Sequence, residues 1–464
     1  MNLNICGGAY SIEAPVAVQE CINMYPEVQQ QGSQEQIILR RFPGLKSFSS
    51  FTGNPIRGMK RMDGVLYVVA AAALYSVSAG GLSILLGNIA GDDLVSMATD
   101  GTNLVIVNGT DTGYVYNGTS LTEIADADFV ASSKVLYLDT YFIHLRPDTN
   151  QFFISESGSA TSYIATDRGT KEGAPGNIVS MITSNRDLHL LGEDTTENWR
   201  VTSNPDFPVG RLEGTFQERG ALGLNTPAEM DNDIYYLGDD KSVYRLSGFT
   251  PVRISHHAIE KWISEQQQTD IDAAIGMTIT HQGHYWYILS FAGGTWAYDS
   301  TTSAMLQRSE WFQLQSWQQD NWRVDVTETA YGKTLCGGAD GVVYELDPDT
   351  FDENGTTQLK RRTSPYYHSE RRPITPNRIK LGFKQGVGNS SVADPVVGMS
   401  ISKDWGRTFS NDRQRSMGQQ GQYRTNATWN RNGISRGAVL RWTVTDSVDV
   451  TFTGAYGEVA AGPG

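Results

Sequence analysis

The chain has 464 residues, with 51 Asp and Glu against 37 Lys and Arg, and its formal net charge is −14. This length exceeds one ordinary domain and predicts two or three. Three cysteines without a CxxC pair argue against a disulfide framework and a zinc site, and we expect no signal peptide and no membrane span, because neither a leader pattern nor a long apolar run is visible.

The charge is unevenly distributed along the chain. Residues 1–357 contain 21 Lys and Arg against 44 Asp and Glu, whereas residues 358–464 contain 16 against 7. The basic residues of the second part are mostly arginines, which suit bidentate contacts with carboxylates or phosphates. Two interpretations stay open: a solvated charged face, or a surface that binds either a neighbouring copy's acidic body or DNA phosphates.

Residues 1–55 lack any internal repeat. They hold the short element CINMYPE, the polar stretch QQQGSQEQ and the segment LRRFPGL. Pro26 and Pro43 impose extended or turn geometry on their neighbours. We therefore expect an extended N-terminal arm that lies along another surface.

Between residues 56 and 350 one pattern recurs seven times: a turn pair, a run of alternating apolar residues, a gap, and a second run around an aromatic. The steps of about 37 to 50 residues are those of a four-stranded blade. A repeated hairpin buries its faces only against copies of itself, and a radial ring hides most sheet edges. The pattern predicts an all-β chain with a β-propeller of six or seven blades. The turn pairs are Asp63-Gly64, Asp100-Gly101, Asp139-Thr140, Arg186-Asp187, Asn232-Asp233, Gln282-Gly283 and Tyr331-Gly332.

Two features interrupt the repeat. Residues 255–266 give the one convincing helix, with Ser255 as a plausible N-cap and three apolar residues on one face. Five tryptophans lie between Trp286 and Trp322. We interpret them as core packing, with a sugar-stacking platform as the alternative.

The remainder of the chain divides into two parts. Residues 351–377 are polar, charged and proline-bearing, which indicates a linker or a crossing strand. Residues 378–464 show alternating runs, among them RIKLGF, VVGMSIS and VLRWTVT. This alternation predicts a smaller C-terminal β-sandwich-like domain.

No catalytic constellation is visible. The segment from Ser402 to Phe409 matches the Asp-box turn of sialidase-like propellers, but it occurs once and outside the repeats. His281 with His284, and His256 with its neighbour, lack a third ligand at a recognisable spacing. We therefore predict no enzyme, with no catalytic, cofactor-binding or metal residues. The alternatives are a carbohydrate-active (sialidase-like or lyase) propeller enzyme and, third, a secreted lectin-like propeller.

Several motifs together resemble one family across nearly the whole chain. They are Asn23-Met-Tyr-Pro-Glu27, Arg41-Phe-Pro-Gly-Leu45, the segment from Ser184 to Trp199, Ala258-Ile-Glu-Lys-Trp-Ile263, Tyr298-Asp-Ser-Thr-Thr302, and the ending from Trp429 to Asp446. In this order they resemble the packaged-DNA stabilisation proteins of short-tailed bacteriophages, also called tail hub or nozzle proteins.

The resemblance implies a virion tail protein, assembled in the host cytoplasm, that forms a homo-oligomeric ring, in this family a hexamer. Such a ring extends the DNA channel below the portal and adaptor, retains the packaged DNA without sequence-specific binding, and anchors a tailspike or fibre and a needle or plug. We place the contacts with other subunits and with the adaptor on the arm and the crossing segment. The candidate residues are Tyr25, Pro26, Arg40, Arg41, Arg361, Arg362, Arg371 and Arg372.

Overall fold

The computed structural model describes residues 2–3, 5–9, 12–13, 17–29, 33, 35–204, 206–369 and 373–461. Almost all of its regular structure is β-strand, which confirms the predicted all-β class. Seven four-stranded blades surround an axis, and a two-sheet sandwich follows them in the chain.

Seven strands precede the repeats; β2 and β3 pair with each other, and the other five are shared among three parts of the molecule. β1, β5 and β6 belong to one sheet of the sandwich, β4 lies between the propeller and the sandwich, and β7 belongs to the last blade. The N-terminal segment is thus interwoven with both domains and is not an arm laid on their surface. The strands are β1 (Asn2–Leu3), β2 (Ile12–Glu13), β3 (Ala17–Val18), β4 (Cys21–Ile22), β5 (Met24–Val28), β6 (Ile37–Arg41) and β7 (Gly44–Ser50).

The first five blades are four-stranded antiparallel meanders. The first has β8 (Ile56–Met62), β9 (Val65–Ala70), β10 (Ala73–Val77) and β11 (Ser83–Asn88); the second β12 (Ser96–Thr99), β13 (Leu104–Val107), β14 (Tyr114–Tyr116) and β15 (Leu121–Glu123); the third β16 (Lys134–Leu138), β17 (Tyr141–Leu145), β18 (Gln151–Ser155) and β19 (Tyr163–Thr170). The fourth has β20 (Ile178–Ser184), β21 (Asp187–Gly192), β22 (Thr196–Val201) and β23 (Val209–Arg211); the fifth β24 (Ala228–Met230), β25 (Asp233–Leu237), β26 (Val243–Ser247) and β27 (Thr250–Arg253).

Three short helices and two further blades complete the propeller. The helices are α1 (His257–Ser264), α2 (Gln268–Asp272) and α3 (Ser300–Leu306). The sixth blade has β28 (Ile275–His281), β29 (His284–Phe291), β30 (Gly294–Asp299) and β31 (Trp311–Leu314), and the seventh has β32 (Val324–Ala330), β33 (Lys333–Gly338) and β34 (Val342–Asp347) with β7.

The N-terminal strand β7 closes the ring. It pairs antiparallel with β34, so the seventh blade combines strands from both ends of the repeat region. The innermost strands of neighbouring blades contact one another around the circle, including β32 with β8. The blade number is therefore seven. The fourth strand of the last blade could not be found by following the repeat, because it comes before the first one in the chain.

The predicted turns are partly confirmed and partly displaced. Asp63-Gly64, Asp139-Thr140, Gln282-Gly283 and Tyr331-Gly332 join their strands with positive φ at both positions, as tight hairpin turns require. Two predicted pairs are wrong by one residue: the turns are Asn185-Arg186 and Asp231-Asn232, because Asn and Asp tolerate the left-handed region. Asp100-Gly101 opens a longer loop that Asp100 closes through its carboxylate.

The predicted helix exists but is shorter, and its predicted cap is wrong. The residue before α1 is His256, and no side chain caps it. Ser255 instead accepts the backbone N–H of Val243 and donates to Glu260, at 2.9 and 2.6 Å. Ile259 and Ile263 face the core, as the apolar spacing predicted. α2 and α3 were not predicted.

The tryptophan cluster is core, as predicted. Trp286, Trp296, Trp311 and Trp322 are buried, and only Trp317 is partly exposed. Because four of the five indoles are removed from solvent, these tryptophans do not form a sugar-stacking platform, which was the alternative interpretation.

The C-terminal domain is a sandwich whose two sheets recruit N-terminal strands. One sheet runs β39-β36-β41-β6-β5 with β1 beside β41; the other runs β4-β35-β40-β37-β38 and continues from β31 of the sixth blade without a break. The predicted sandwich is confirmed, and a shared nine-stranded sheet joins it to the propeller. Its strands are β35 (Lys360–Thr363), β36 (Ile374–Phe383), β37 (Val396–Ser402), β38 (Arg413–Ser416), β39 (Ala427–Asn430), β40 (Val439–Val444) and β41 (Thr451–Ala461).

Candidate functional site

The junction between propeller and sandwich is built around Asn23, directly after β4. Its backbone has a positive φ of 51°, and its carboxamide bridges two parts of the chain. The Nδ2 group donates to the carbonyls of Gln315 and Leu359, both at 2.8 Å, and Oδ1 accepts the backbone N–H of Gln315 at 3.0 Å. One side chain thus ties the sixth blade to the crossing segment. Asn23 begins one of the motifs that resemble the family, but the sequence predicted no role for this residue.

Arg41 forms a second tie. Its Nε lies 3.2 Å from Oδ1 of Asp449 in the sandwich, and one Nη donates to the carbonyl of Thr350 at 3.1 Å. The guanidinium also lies over the ring of Phe351, 4.3 Å from its centroid. Burial lowers the pKa of Arg41, although arginine remains charged in proteins. This cation therefore connects strand β6 with the end of the propeller and with the segment just before the last sandwich strand.

The crossing strand β35 carries two further buried cations. Lys360 donates to the carbonyls of Phe351 and Asp446, at 2.9 and 3.2 Å. Burial lowers the pKa of its ammonium to about 7. Arg362 is 2% exposed and donates to the carbonyl of Gly8 at 2.9 Å. Both side chains satisfy backbone oxygens that the interwoven N-terminal and C-terminal segments leave without a strand partner.

The eight residues proposed for contacts with other chains fall into three groups. Tyr25, Pro26, Arg41 and Arg362 are buried inside the subunit, so the structure gives them an intramolecular role in place of a surface role. The reason is that the segments expected to be an arm and a linker form strands of the shared sheets. Arg40, which pairs with Glu27 at 2.7 Å, and Arg361 remain partly exposed. Arg371 and Arg372 lie outside the described residues.

The exposed positive charge lies instead on the sandwich. Arg413 and Arg415 stand on the free edge strand β38 and donate to the carbonyls of Asn430 and Thr428 in the facing sheet, at 3.1 and 2.8 Å. We call this pair the arginine edge. No carboxylate among the described residues pairs with either guanidinium in an ion pair. Further exposed cations of the domain are Lys403, Arg407, Arg424, Arg431 and Arg436.

The Asp-box segment has the predicted hairpin geometry. Oδ1 of Asp404 accepts the backbone N–H of Thr408 at 2.9 Å, and Gly406 has a φ of 88°. Hydrogen bonds from the Thr408 hydroxyl, the Thr408 backbone N–H and the Ser402 hydroxyl hold the pKa of the Asp404 carboxyl well below its usual range. The ring of Phe409 lies under the guanidinium of Arg441, 3.5 Å from its centroid. The motif stabilises a turn of the sandwich, since the side chains of Ser402, Asp404 and Thr408 all hydrogen-bond within it.

His281 and His284 have structural roles. Nδ1 of His284 lies 2.7 Å from Oδ2 of Asp299, whose other oxygen accepts the N–H of Thr302 and caps α3. His281 stacks on Trp286, and burial lowers the pKa of His281 to about 4. Within the described part of the chain, no group of His, Cys, Asp or Glu is arranged to hold a metal ion. In the same residues no helix is long and apolar enough to cross a membrane.

The propeller axis contains a cavity of about 300 Å³. It is lined by the inner strands, with Lys60 and Glu328 3.9 Å apart at its wall. Lys134 also faces it and donates to Ser180 at 2.9 Å, and burial lowers the pKa of this lysine to about 8. A DNA duplex is wider than its major groove, which is itself about 12 Å wide. A cavity of about 300 Å³ therefore cannot admit a duplex.

Two family models together account for most of the sequence. The first, described as bacteriophage P22 Gp10, beta-propeller, matches residues 1–351, and the second, bacteriophage P22 Gp10, beta-sandwich, matches residues 361–460. The chain belongs to the P22 Gp10 family. This confirms the resemblance to the packaged-DNA stabilisation proteins, and it makes the chain a structural protein of a phage tail. The two Gp10 models meet at the crossing segment, and the structure adds that the sandwich also takes strands β1, β5 and β6 from the N-terminal segment.

Other known proteins are only weakly similar to the chain. No curated protein sequence matches the chain significantly. Among solved structures, BamB from Moraxella catarrhalis matches at 12% identity and a TM-score of 0.40, covering 71% of this chain and 98% of that one. The computationally designed Ika8 protein matches at 12% identity and a TM-score of 0.40, covering 71% and 99%. A chain of the mitotic checkpoint complex matches at 12% identity and a TM-score of 0.42, covering 69% and 96%.

Proposed function

We propose that this Gp10-family protein is a wall segment of the tail conduit, in which copies assemble as a ring, by expectation six, around a channel for the packaged DNA. The observation that carries the proposal is the separation of charge within one interwoven subunit. An acidic propeller and a basic sandwich are joined by a continuous sheet, so each copy presents both signs of charge in a fixed relation.

The size of the axial cavity supports a channel between copies. Because the propeller axis is too narrow for a duplex, DNA must pass through a space that several subunits enclose. An acidic wall repels phosphates at close range, and counterions screen the repulsion within about 10 Å at 0.1 M salt. The acidic propeller would thus let DNA slide without adhering.

Contacts between neighbouring copies are proposed to join the sandwich of one subunit to the acidic propeller of the next. The arginine edge and the other exposed cations of the sandwich supply the positive partner, and Arg40 and Arg361 remain candidates at the border. Repetition around a closed ring turns individually weak ion pairs into a strong assembly. The adaptor, a tailspike or fibre, and a needle or plug are the proposed axial and lateral partners.

Imaging of purified tails by electron microscopy tests the proposal. We expect a cyclic ring of this chain with acidic side chains facing the channel. A map in which the chain is monomeric, or in which the channel surface is basic and contacts the genome along its length, would refute it.

A further inference from the structure

Three of the four strands of the first blade carry no charged residue, although the propeller as a whole is acidic. No charged residue occurs between Asp63 and Asp92, a stretch that contains β9, β10 and β11. Its outer strand nevertheless faces solvent: Leu82, Ile84 and Leu85 are 76%, 66% and 59% exposed. Exposed aliphatic side chains of this size in one short segment indicate a surface that another molecule covers.

The outer strands of the other blades are protected at their free edges, whereas β11 is not. Natural sheets guard their free edges with charges, prolines or a covering element. The sixth blade is covered by β4. The remaining outer strands carry at least one such residue, namely Glu123 in β15, Asp167 and Arg168 in β19, Arg211 in β23, Pro251 and Arg253 in β27, and Lys46 in β7. β11, with the sequence SILLGN, has none.

The backbone of β11 is available on its outer side. Among the described residues it pairs only with β10, in regular register from Ser83 to Leu85. A bulge at Leu86 bends only the end of the strand. Ile84 and Leu85 are adjacent and therefore point to opposite faces of the blade. A helix would cover one of these faces, whereas an added strand would pair with the edge and flank both.

The occupant is further defined by charge and symmetry. An uncharged edge offers no counter-charge, so a charged segment would lose hydration there without compensation. Among the described free edges of a second copy, β1 and β3 have only two residues each, and β39 already gives the carbonyls of Thr428 and Asn430 to the arginine edge. The remaining uncharged outer edge is β11 itself, and that pairing would be two-fold. Two-fold contacts close as a pair, whereas a cyclic ring uses heterologous contacts.

We propose that β11 is a docking edge that accepts an extended, uncharged, apolar strand from a different polypeptide of the tail, an inference that rests on the proposed ring. The added strand would extend the first blade by main-chain hydrogen bonds and bury the three exposed aliphatic side chains. The site lies on the outside of the propeller, away from the axis, because β11 is the fourth strand of its blade.

Thiol labelling tests whether the edge is covered. A Ser83→Cys variant in a Cys6→Ser background leaves Cys21 and Cys336 as the only other thiols, and both are completely buried. We expect a maleimide reagent to label the purified subunit and to fail to label intact tails. Thr250→Cys, on the protected edge β27, is the matched control for reagent access. Equal labelling of Ser83→Cys in subunits and tails would overturn the proposal.

Photo-cross-linking identifies the occupant. With p-benzoylphenylalanine in place of Leu82, irradiated tails should give a product that joins this chain to a different polypeptide through an uncharged, apolar peptide. A product of two copies, at twice 51.0 kDa, would overturn the assignment to a different chain. The absence of any product would overturn strand docking.

The two proposals fail in distinguishable ways. If tails contain the ring and Ser83→Cys is still labelled in them, only the docking-edge proposal is wrong. If no ring forms, images of the tails show this directly, and the proposed function is wrong. Ile84→Lys should leave the melting temperature of the purified subunit unchanged, because the side chain is exposed, and should abolish the cross-linked product. Persistence of that product at full yield would contradict pairing through this edge.

Discussion

Two regions of the molecule are rich in cations, and burial gives them different roles. In the crossing strand, Lys360 and Arg362 are removed from solvent and donate to carbonyls of distant segments. On the arginine edge, Arg413 and Arg415 also donate to carbonyls but remain at the surface. The comparison teaches that the charge excess of the C-terminal part is not one surface: some of it holds the subunit together, and the rest lies exposed on the sandwich.

The largest effect is expected for Arg362→Ala. The substitution leaves a cavity and removes the donor that serves the Gly8 carbonyl, so the free energy of unfolding should fall by about 4 kcal/mol. Chemical denaturation of the purified subunit measures it. Arg361→Ala, one residue away and partly exposed, is the control and should cost about 1 kcal/mol or less. Equal losses would mean that burial does not separate the two positions.

The second effect is a pH dependence of the free energy of unfolding, caused by Lys360. Its folded pKa of about 7 lies below the unfolded value, so between pH 7 and about 10 the unfolded chain binds a proton that the folded chain does not. Stability should therefore rise with pH in this window, by at most about 1.4 kcal/mol per unit. Urea unfolding at several pH values should show this rise in the parent protein. The rise should be smaller in Lys360→Met, which keeps only the part from Lys134, whose pKa burial lowers to about 8. Parallel profiles of the two proteins would show that Lys360 titrates normally.

A smaller loss is expected for Asn23→Gly. Glycine accepts the positive φ without strain, so the variant isolates the three side-chain hydrogen bonds at the junction. We expect a loss of about 2 kcal/mol in the free energy of unfolding. Asn354→Gly, at a positive φ of 52° in an exposed turn, controls for the backbone change. If both variants unfold alike, the carboxamide is not a tie between the domains.

The smallest effect on folding is expected for the double variant Arg413→Glu with Arg415→Glu. Both side chains are at the surface, and the free energy of unfolding should change by about 0.5 kcal/mol or less. Ring assembly should be lost, because the reversed charges would repel an acidic neighbour. Electron microscopy of tails produced in a complementation assay shows whether rings assemble. Normal rings from a stable double variant would move the contact elsewhere on the sandwich.

The sequence predicted the propeller because each repeated hairpin carries its own turn chemistry. Pairs such as Asp63-Gly64 and Gln282-Gly283 specify tight turns from two residues alone. The same local rule misplaced the turns at Asn185 and Asp231 by one residue, because either neighbour could adopt a positive φ. The helix cap at Ser255 was wrong for a related reason: a nonlocal partner, the N–H of Val243, took its hydroxyl.

Contacts between distant segments were beyond the reach of pattern reading. Residues 1–55 and 351–377 show no strong periodicity, and their strands form only because other strands offer free edges to them. For this reason Tyr25, Arg41 and Arg362 were expected at a surface and lie in the interior. The roles of Asn23 and Lys360 had no sequence signal, since their partners are carbonyls far away in the chain.

The sequence by itself determined the class of fold, the repeat, the family and the uneven charge, because all of these are written in local composition and spacing. The tertiary structure alone decided that the propeller has seven blades and is closed by β7, a strand that precedes the first repeat in the chain. It also decided that one sheet runs from the propeller into the sandwich. The physical reason is that strand pairing is satisfied by backbone groups, which every residue carries, so the choice of partner depends on geometry across the whole chain.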